Sequence, residues 1–212
     1  MQGLGMFAGL KHGFIAAIVV LFGVFGLSRA APASELQSSY AAVGDPTSVP
    51  YGWLEFCRRY EGECGHGKLD PLDVNLTAKA LHEIERINLW VNAHVEPVSD
   101  MDHWGVLDRW DYPTDGKGDC EDYALYKRAL LIADGFPRQA VLMTVVKDEH
   151  NEGHAILTIK TNRGEFVLDN LHDQIKPWTE TGYRFVKRQS QADENLWVQI
   201  GEPTAPPAYV SR

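Results

Sequence analysis

The feature that most limits how this chain can fold is a change of hydrophobic period at mid-chain. Before Asp134-Gly135, apolar residues recur at helical spacing, as in Ala80, Ile84, Ile87 and Val91. After it they alternate. Ala140–Val146, His154–Lys160, Gly164–Asn170, Tyr183–Arg188 and Leu196–Ile200 read as strands separated by turn-forming residues. Helices first and a run of adjacent strands after them predict an α+β domain with an antiparallel sheet.

The helical half is expected to begin with a short helix over Tyr51 to Tyr60. A longer one follows, with Asn75 as its cap. The stretch from Glu96 to Gly118 reads as irregular chain anchored by Trp104, Trp110 and Tyr112. The best-defined helix starts after Gly118. Asp119 is its expected N-cap, and Asp122 three residues on takes the place of the Glu in a capping box. Leu125, Ala129 and Ile132 form its expected buried stripe, and Asp134-Gly135 its stop.

The chain ends read differently. One Lys, Lys11, precedes an apolar run from Phe14 to Leu27. Small residues follow at Ser28-Arg29-Ala30 and Ala31-Pro32-Ala33. This is the pattern of an export signal over residues 1–33, cut near residue 30 or 33. The run of 14 residues falls short of the about 20 that a membrane-spanning helix needs. Residues 34–49 read as a flexible lead-in, 50–202 as one domain and 203–212, with three Pro, as a fraying tail. The net charge is −9. Excising Lys11 and Arg29 would take it to −11, and no basic stripe is present, which argues against a nucleic-acid partner.

Three cysteines in an oxidising compartment constrain one another. Cys57 and Cys64 are close enough in sequence for a local disulfide, and neither belongs to a Cys-x-x-Cys pair. Cys120 is then odd: an intermolecular bridge, an inert buried thiol or a reactive one. It falls in the first turn of the helix after Gly116-Lys117-Gly118-Asp119. There, unpaired N–H groups and the positive end of the helix dipole favour a thiolate and can donate to an oxyanion.

Among eight His, one interrupts an apolar strand, in Gly153-His154-Ala155-Ile156-Leu157. The next strand ends Phe166-Val167-Leu168-Asp169-Asn170. A two-residue turn at Asn162-Arg163 or Arg163-Gly164 places His154 opposite residue 171 or 173. Asp169 then shares its parity, with the pair closer in the first register. His172 and Asp173, beyond the strand, are a rival pair. Asp111, Asp115, Gly116 and Asp122 imitate an EF-hand loop, but Pro113 stands at its third place and Asp at its last, so the likeness reads as coincidence.

Gly118-Asp119-Cys120-Glu121-Asp122-Tyr123-Ala124, Gly153-His154-Ala155-Ile156-Leu157 and Val167-Leu168-Asp169-Asn170-Leu171, in that order, resemble the bacterial transglutaminase-like cysteine proteinases. Within them the resemblance is to the LapG-type periplasmic proteases, and it extends from about Phe56 to Asn170. It implies a papain- or transglutaminase-like core with the nucleophile at a helix N-terminus packed on an antiparallel sheet. It implies Cys120, His154 and Asp169 as nucleophile, base and orienting acid. It also implies calcium dependence, with Asp119 and Glu121 as metal ligands. The implied substrate is a large surface adhesin, cut near its N-terminus at a di-alanine site, so that biofilm attachment is controlled. The implied partner is an inner-membrane cyclic di-GMP receptor that sequesters the protease. The same three residues would also serve a transglutaminase or deamidase. A catalytically silent calcium-dependent binding module would need only the acids, and a peptidoglycan hydrolase with a Cys-His site is a weaker alternative.

Overall fold

A computed structural model describes residues 39–201 and Val210; the expected signal segment and most of the expected tail lie outside the described residues. The helical half comes first. Helix α1 spans Tyr51–Arg59 and α2 Ala78–His94. Between α2 and helix α4, Cys120–Ala133, lie a short helix α3, Asp100–Trp104, and two-residue strands β2, Glu96–Pro97, and β3, Lys117–Gly118. The expected irregular stretch is thus organised at both ends. The β2–β3 ladder is parallel, with Glu96 N–H donating to the Gly116 carbonyl and Val98 N–H to that of Gly118.

Six strands follow the helices: β4 Val141–Lys147, β5 Gly153–Thr161, β6 Gly164–Leu168, β7 Lys176–Pro177, β8 Arg184–Ser190 and β9 Asp193–Ile200. With β1, Val43–Thr47, they form one seven-stranded sheet in the order β1-β9-β8-β4-β5-β6-β7, every pair antiparallel. The expected α+β class holds. The flexible lead-in needs correction: residues 43–47 pair along the edge of β9, whose backbone donors and acceptors would otherwise be open.

Alternation along the strands divides the core. Met143, Val145, Ala155, Leu157 and Ile159 join Trp53, Phe56, Ile84, Ile87, Val91 and Trp110 beneath the helices. Val146, Ile156, Val167, Phe185 and Val198 form a second cluster. Val210, the described residue of the tail, is buried in the larger one. Burial of this apolar surface is the main stabilising term.

Two helix details depart from the sequence reading. Thr77, not Asn75, caps α2, its hydroxyl accepting the Ala80 N–H at 3.1 Å; Asn75 instead takes the Asn162 side chain. The buried face of α4 includes Ala124, Leu125, Lys127, Arg128 and Leu131, whereas Ala129 and Ile132 are half-buried. Two cations lie inside because each has a partner there. Lys127 Nζ donates to the Asp169 carbonyl at 2.9 Å, and Arg128 meets Glu194 at 3.1 Å. Among the described residues no helix is long and apolar enough to cross a membrane.

Candidate active site

Cys120 is the first residue of α4 and is buried beneath the start of β5. It is the free cysteine among the described residues, since Cys57 and Cys64 form the expected disulfide. Asp119 occupies the N-cap position without a side-chain cap bond. Its Oδ2 accepts the Asp100 N–H at 3.1 Å instead, so of the expected capping box only the half in which the Asp122 carboxylate takes the Asp119 N–H is formed. Asp122 is turned to the Asp111 N–H at 2.7 Å. Its carboxylate packs so closely on Gly118 that a Cβ there would stand 2.6 Å from Oδ2. Glycine at position 118, two residues before Cys120, is therefore a steric requirement.

Thr161 pairs with Gly164 and Leu157 with Leu168, so Asn162-Arg163 forms the turn and the first of the two expected registers is the one adopted. The ladder ends at Leu157–Leu168, and Asp169 follows directly after it. His154 Nε2 lies 2.9 Å from Asp169 Oδ1, both side chains being almost fully buried. Asp169 is held from several directions. The Leu171 N–H donates to Oδ1 at 3.0 Å and the Tyr183 hydroxyl to Oδ2 at 2.5 Å. Its carbonyl accepts from Lys127 of α4 and Asn92 of α2. Burial alone would raise the Asp169 carboxyl, but His154, Tyr183 and the Leu171 N–H hold it down at about 2. Burial opposes a charge on His154 too, yet hydrogen bonding to Asp169 and Cys120 lifts it to about 10.

With Nε2 committed to Asp169, Nδ1 is the buried ring nitrogen left for Cys120 and has no other hydrogen-bond partner. The thiol neighbours it. Cys120 Sγ accepts the Ala155 N–H at 3.4 Å and lies 3.1 Å from Glu121 Oε2. A backbone donor aimed at sulfur stabilises negative charge there. Cys120, His154 and Asp169 are thus brought together. The rival pair is not: His172 and Asp173 are exposed, with Asp173 engaged by Asn92 and His172 stacked on Tyr183.

Asp119 and Glu121 converge with a third acid that the sequence reading missed. Oxygens of Asp100, Asp119 and Glu121 lie within 4.8 Å of one another, all three residues buried. Glu121 Oε1 has no hydrogen-bond donor. Burial and then the charge of Asp119 push Asp100 up to about 6; burial, Cys120 and Asp119 push Glu121 well above the usual carboxylate range. Oxygen donors crowded against their own charge suit a hard cation. The one sequence signal for Asp100 was Ser99-Asp100, where the Ser99 hydroxyl caps α3 by accepting the Asp102 N–H. The EF-hand likeness is indeed coincidental. The Asp111 carboxylate takes the Tyr60 hydroxyl and Arg109, and Asp115 takes His103 and the Lys117 N–H.

No curated protein sequence matches the chain. Among solved structures, calcium-bound Legionella pneumophila LapG is similar at 25% identity and a TM-score of 0.49. That alignment covers 59% of this chain and 74% of that one. The EGTA-treated form of the same protein aligns at 24% identity and a TM-score of 0.47, over 58% and 72%. Residues 43–205, more than three quarters of the sequence, match the bacterial transglutaminase-like cysteine proteinases, and the chain belongs to that family.

Proposed function

We propose that the protein is a calcium-dependent cysteine endopeptidase of the periplasm. In this reading Cys120 is the nucleophile, His154 the base and Asp169 the acid that orients it. The observation that carries it is the division of the imidazole: Nε2 is held by Asp169, and Nδ1 is left open beside Cys120.

The Cys120 proton passes to Nδ1, and Asp169 on Nε2 fixes the tautomer. Sulfur then bonds to the peptide carbonyl carbon as the carbonyl π pair moves to oxygen. First-turn N–H groups of α4 donate to that oxyanion. When the carbon–nitrogen bond breaks, the imidazolium proton goes to the leaving amine. Water, giving a proton to His154, cleaves the thioester and restores the thiol. Asp100, Asp119 and Glu121 would hold the calcium, the donorless Glu121 Oε1 supporting the fit. When bound, the ion supplies charge that offsets the carboxylates around Cys120.

The substrate under this reading is a large surface adhesin cut near its N-terminus at a di-alanine site, which controls biofilm attachment. An inner-membrane cyclic di-GMP receptor withholds the enzyme when that messenger is abundant. These assignments rest on the motif resemblance. The test is incubation of purified protein with the N-terminal fragment of such an adhesin. Cleavage is expected with calcium, reversibly lost in a calcium chelator and absent in Cys120→Ala. Cleavage by Cys120→Ala, or undiminished cleavage in excess chelator, contradicts the mechanism or the metal dependence respectively. Attachment of an added amine in place of hydrolysis would reassign the reaction to transglutamination.

A further inference from the structure

A cleft of about 180 Å³ lies beside the His154–Asp169 pair. Leu171, His172 and Tyr183 line it, together with Asp148, Glu149 and His150 from the turn between β4 and β5. Two of these residues touch Asp169 directly: the Leu171 N–H at Oδ1 and the Tyr183 hydroxyl at Oδ2. Tyr183 also stands edge-on to His154, with ring centroids 5.6 Å apart. The cleft is therefore connected to the site through the base and its acid. His154 gives the leaving amine its proton, so the C-terminal side of the scissile bond is the part of the substrate that departs on the His154 side of Cys120, the side this cleft flanks.

The walls define what could enter. Pockets for cofactor-sized ligands begin at about 300 Å³, so this one suits a single side chain. The rings of Tyr183 and His172 lie 6.5 Å apart and 29° from parallel. The Tyr183 hydroxyl is committed to Asp169, so ring surface is what Tyr183 can offer a visitor. Exposed Leu171 adds apolar surface. The charges in the lining are acidic, and no Lys or Arg is part of it. Asp148 is engaged in its own turn, Oδ1 accepting the N–H groups of His150 and Glu152. Glu149 is exposed, its Oε1 lying 3.2 Å from where a Cβ on Gly182 would stand, next to Tyr183. The neighbouring cation Arg184 is turned to Asn151. Aromatic surface beside an exposed carboxylate favours a long side chain with a cationic end. A planar guanidinium that stacks and pairs at once suits it best.

We propose that this cleft is a specificity subsite for a basic substrate side chain, Arg ahead of Lys, on the C-terminal side of the scissile bond. The proposal rests on the endopeptidase reading above. Its test uses ten-residue peptides with a central Ala-Ala. Arg, its neutral isostere citrulline, or Glu is placed at each of the three positions that follow. At one position the wild type should favour Arg over citrulline in kcat/KM by about five- to tenfold. The ratio should fall towards 1 in Glu149→Gln, and Glu149→Lys should favour Glu instead. Equal rates for Arg and citrulline at all three positions, or a preference for Arg that survives Glu149→Lys, overturns the proposal. A binding arm separates its failure from that of the endopeptidase reading. In Cys120→Ala protein, acetyl-arginine amide should shift the ring resonances of His172 and Tyr183, and should not do so once Glu149→Lys is added. Shifts without cleavage of any peptide would keep the subsite and reject the protease reading. Cleavage with neither preference nor shifts would do the reverse, and neither cleavage nor shifts would reject both.

Discussion

The hairpin that carries His154 and Asp169 and the segment that carries Asp100 bring side chains to the start of one helix by different means. In the hairpin a five-rung ladder sets the register. A slip of one residue would turn both side chains to the other face and bury the wrong set. In the Glu96–Gly118 segment the hold is local. A two-residue ladder, the Ser99 cap and the Asp100 N–H bond to Asp119 position an acid whose charge is opposed by its neighbours. The first region would keep its geometry whatever is bound. The second brings carboxylates together and gains a stabilising partner when a cation binds between them.

This contrast predicts how the two regions fail. His154→Ala should lower kcat/KM by about 10⁴-fold or more, and Asp169→Asn by about 10⁴-fold through loss of tautomer control, with the fold and calcium affinity retained. Steady-state kinetics beside calcium titration would check this. A comparable loss of calcium affinity in either variant would erase the distinction between the regions. Asp100→Ala should act the other way, weakening calcium binding by roughly 10- to 100-fold while full activity returns at saturating calcium. Isothermal titration would read the first effect. Unchanged affinity would remove Asp100 from the ligand set and leave Asp119 and Glu121 to be tested alone.

A smaller effect belongs to the hairpin alone. Asp169 is held at about 2, so the stability it contributes is present above its unfolded value, about 4, and is lost as pH falls towards 2. His154 is raised to about 10, so its contribution is complete below its unfolded value of about 6.5 and is lost as pH rises towards 10. The stability advantage of wild type over Asp169→Asn should therefore peak between about pH 4 and pH 6.5. Urea unfolding across pH would measure it. A difference independent of pH would mean that the pair is not ionised in the folded protein.

The same contrast explains what could be read from sequence. Period-2 alternation fixes parity, so the nearness of His154 and Asp169 followed from counting residues around the Asn162-Arg163 turn. Cys120 was legible as the first residue of a helix after Gly-Asp. Asp100 was not, because no periodicity links it to Asp119 across 19 residues of aromatic-rich chain. Asp122, expected to complete a capping box with Asp119, also accepts the Asp111 N–H, a partner 11 residues away that no local pattern announces. Lys127 and Arg128 are absent from the expected buried stripe, because a charge is ordinarily kept in water. Their partners, the Asp169 carbonyl just past β6 and Glu194 of β9, lie far along the chain. The edge strand β1 was hidden too, Gly44 and Pro46 disguising a segment that needs only the open edge of β9.

The central claim is that His154 activates Cys120 as the nucleophile. Alkylation of the unreduced, calcium-loaded protein with iodoacetamide, followed by peptide mapping, tests it most directly. The account predicts one label per chain, on the peptide containing Cys120, with proteolytic activity lost in step. In His154→Ala, labelling should be at least about tenfold slower. Labelling that leaves activity intact, no labelling at Cys120, or an unchanged rate in His154→Ala would contradict it.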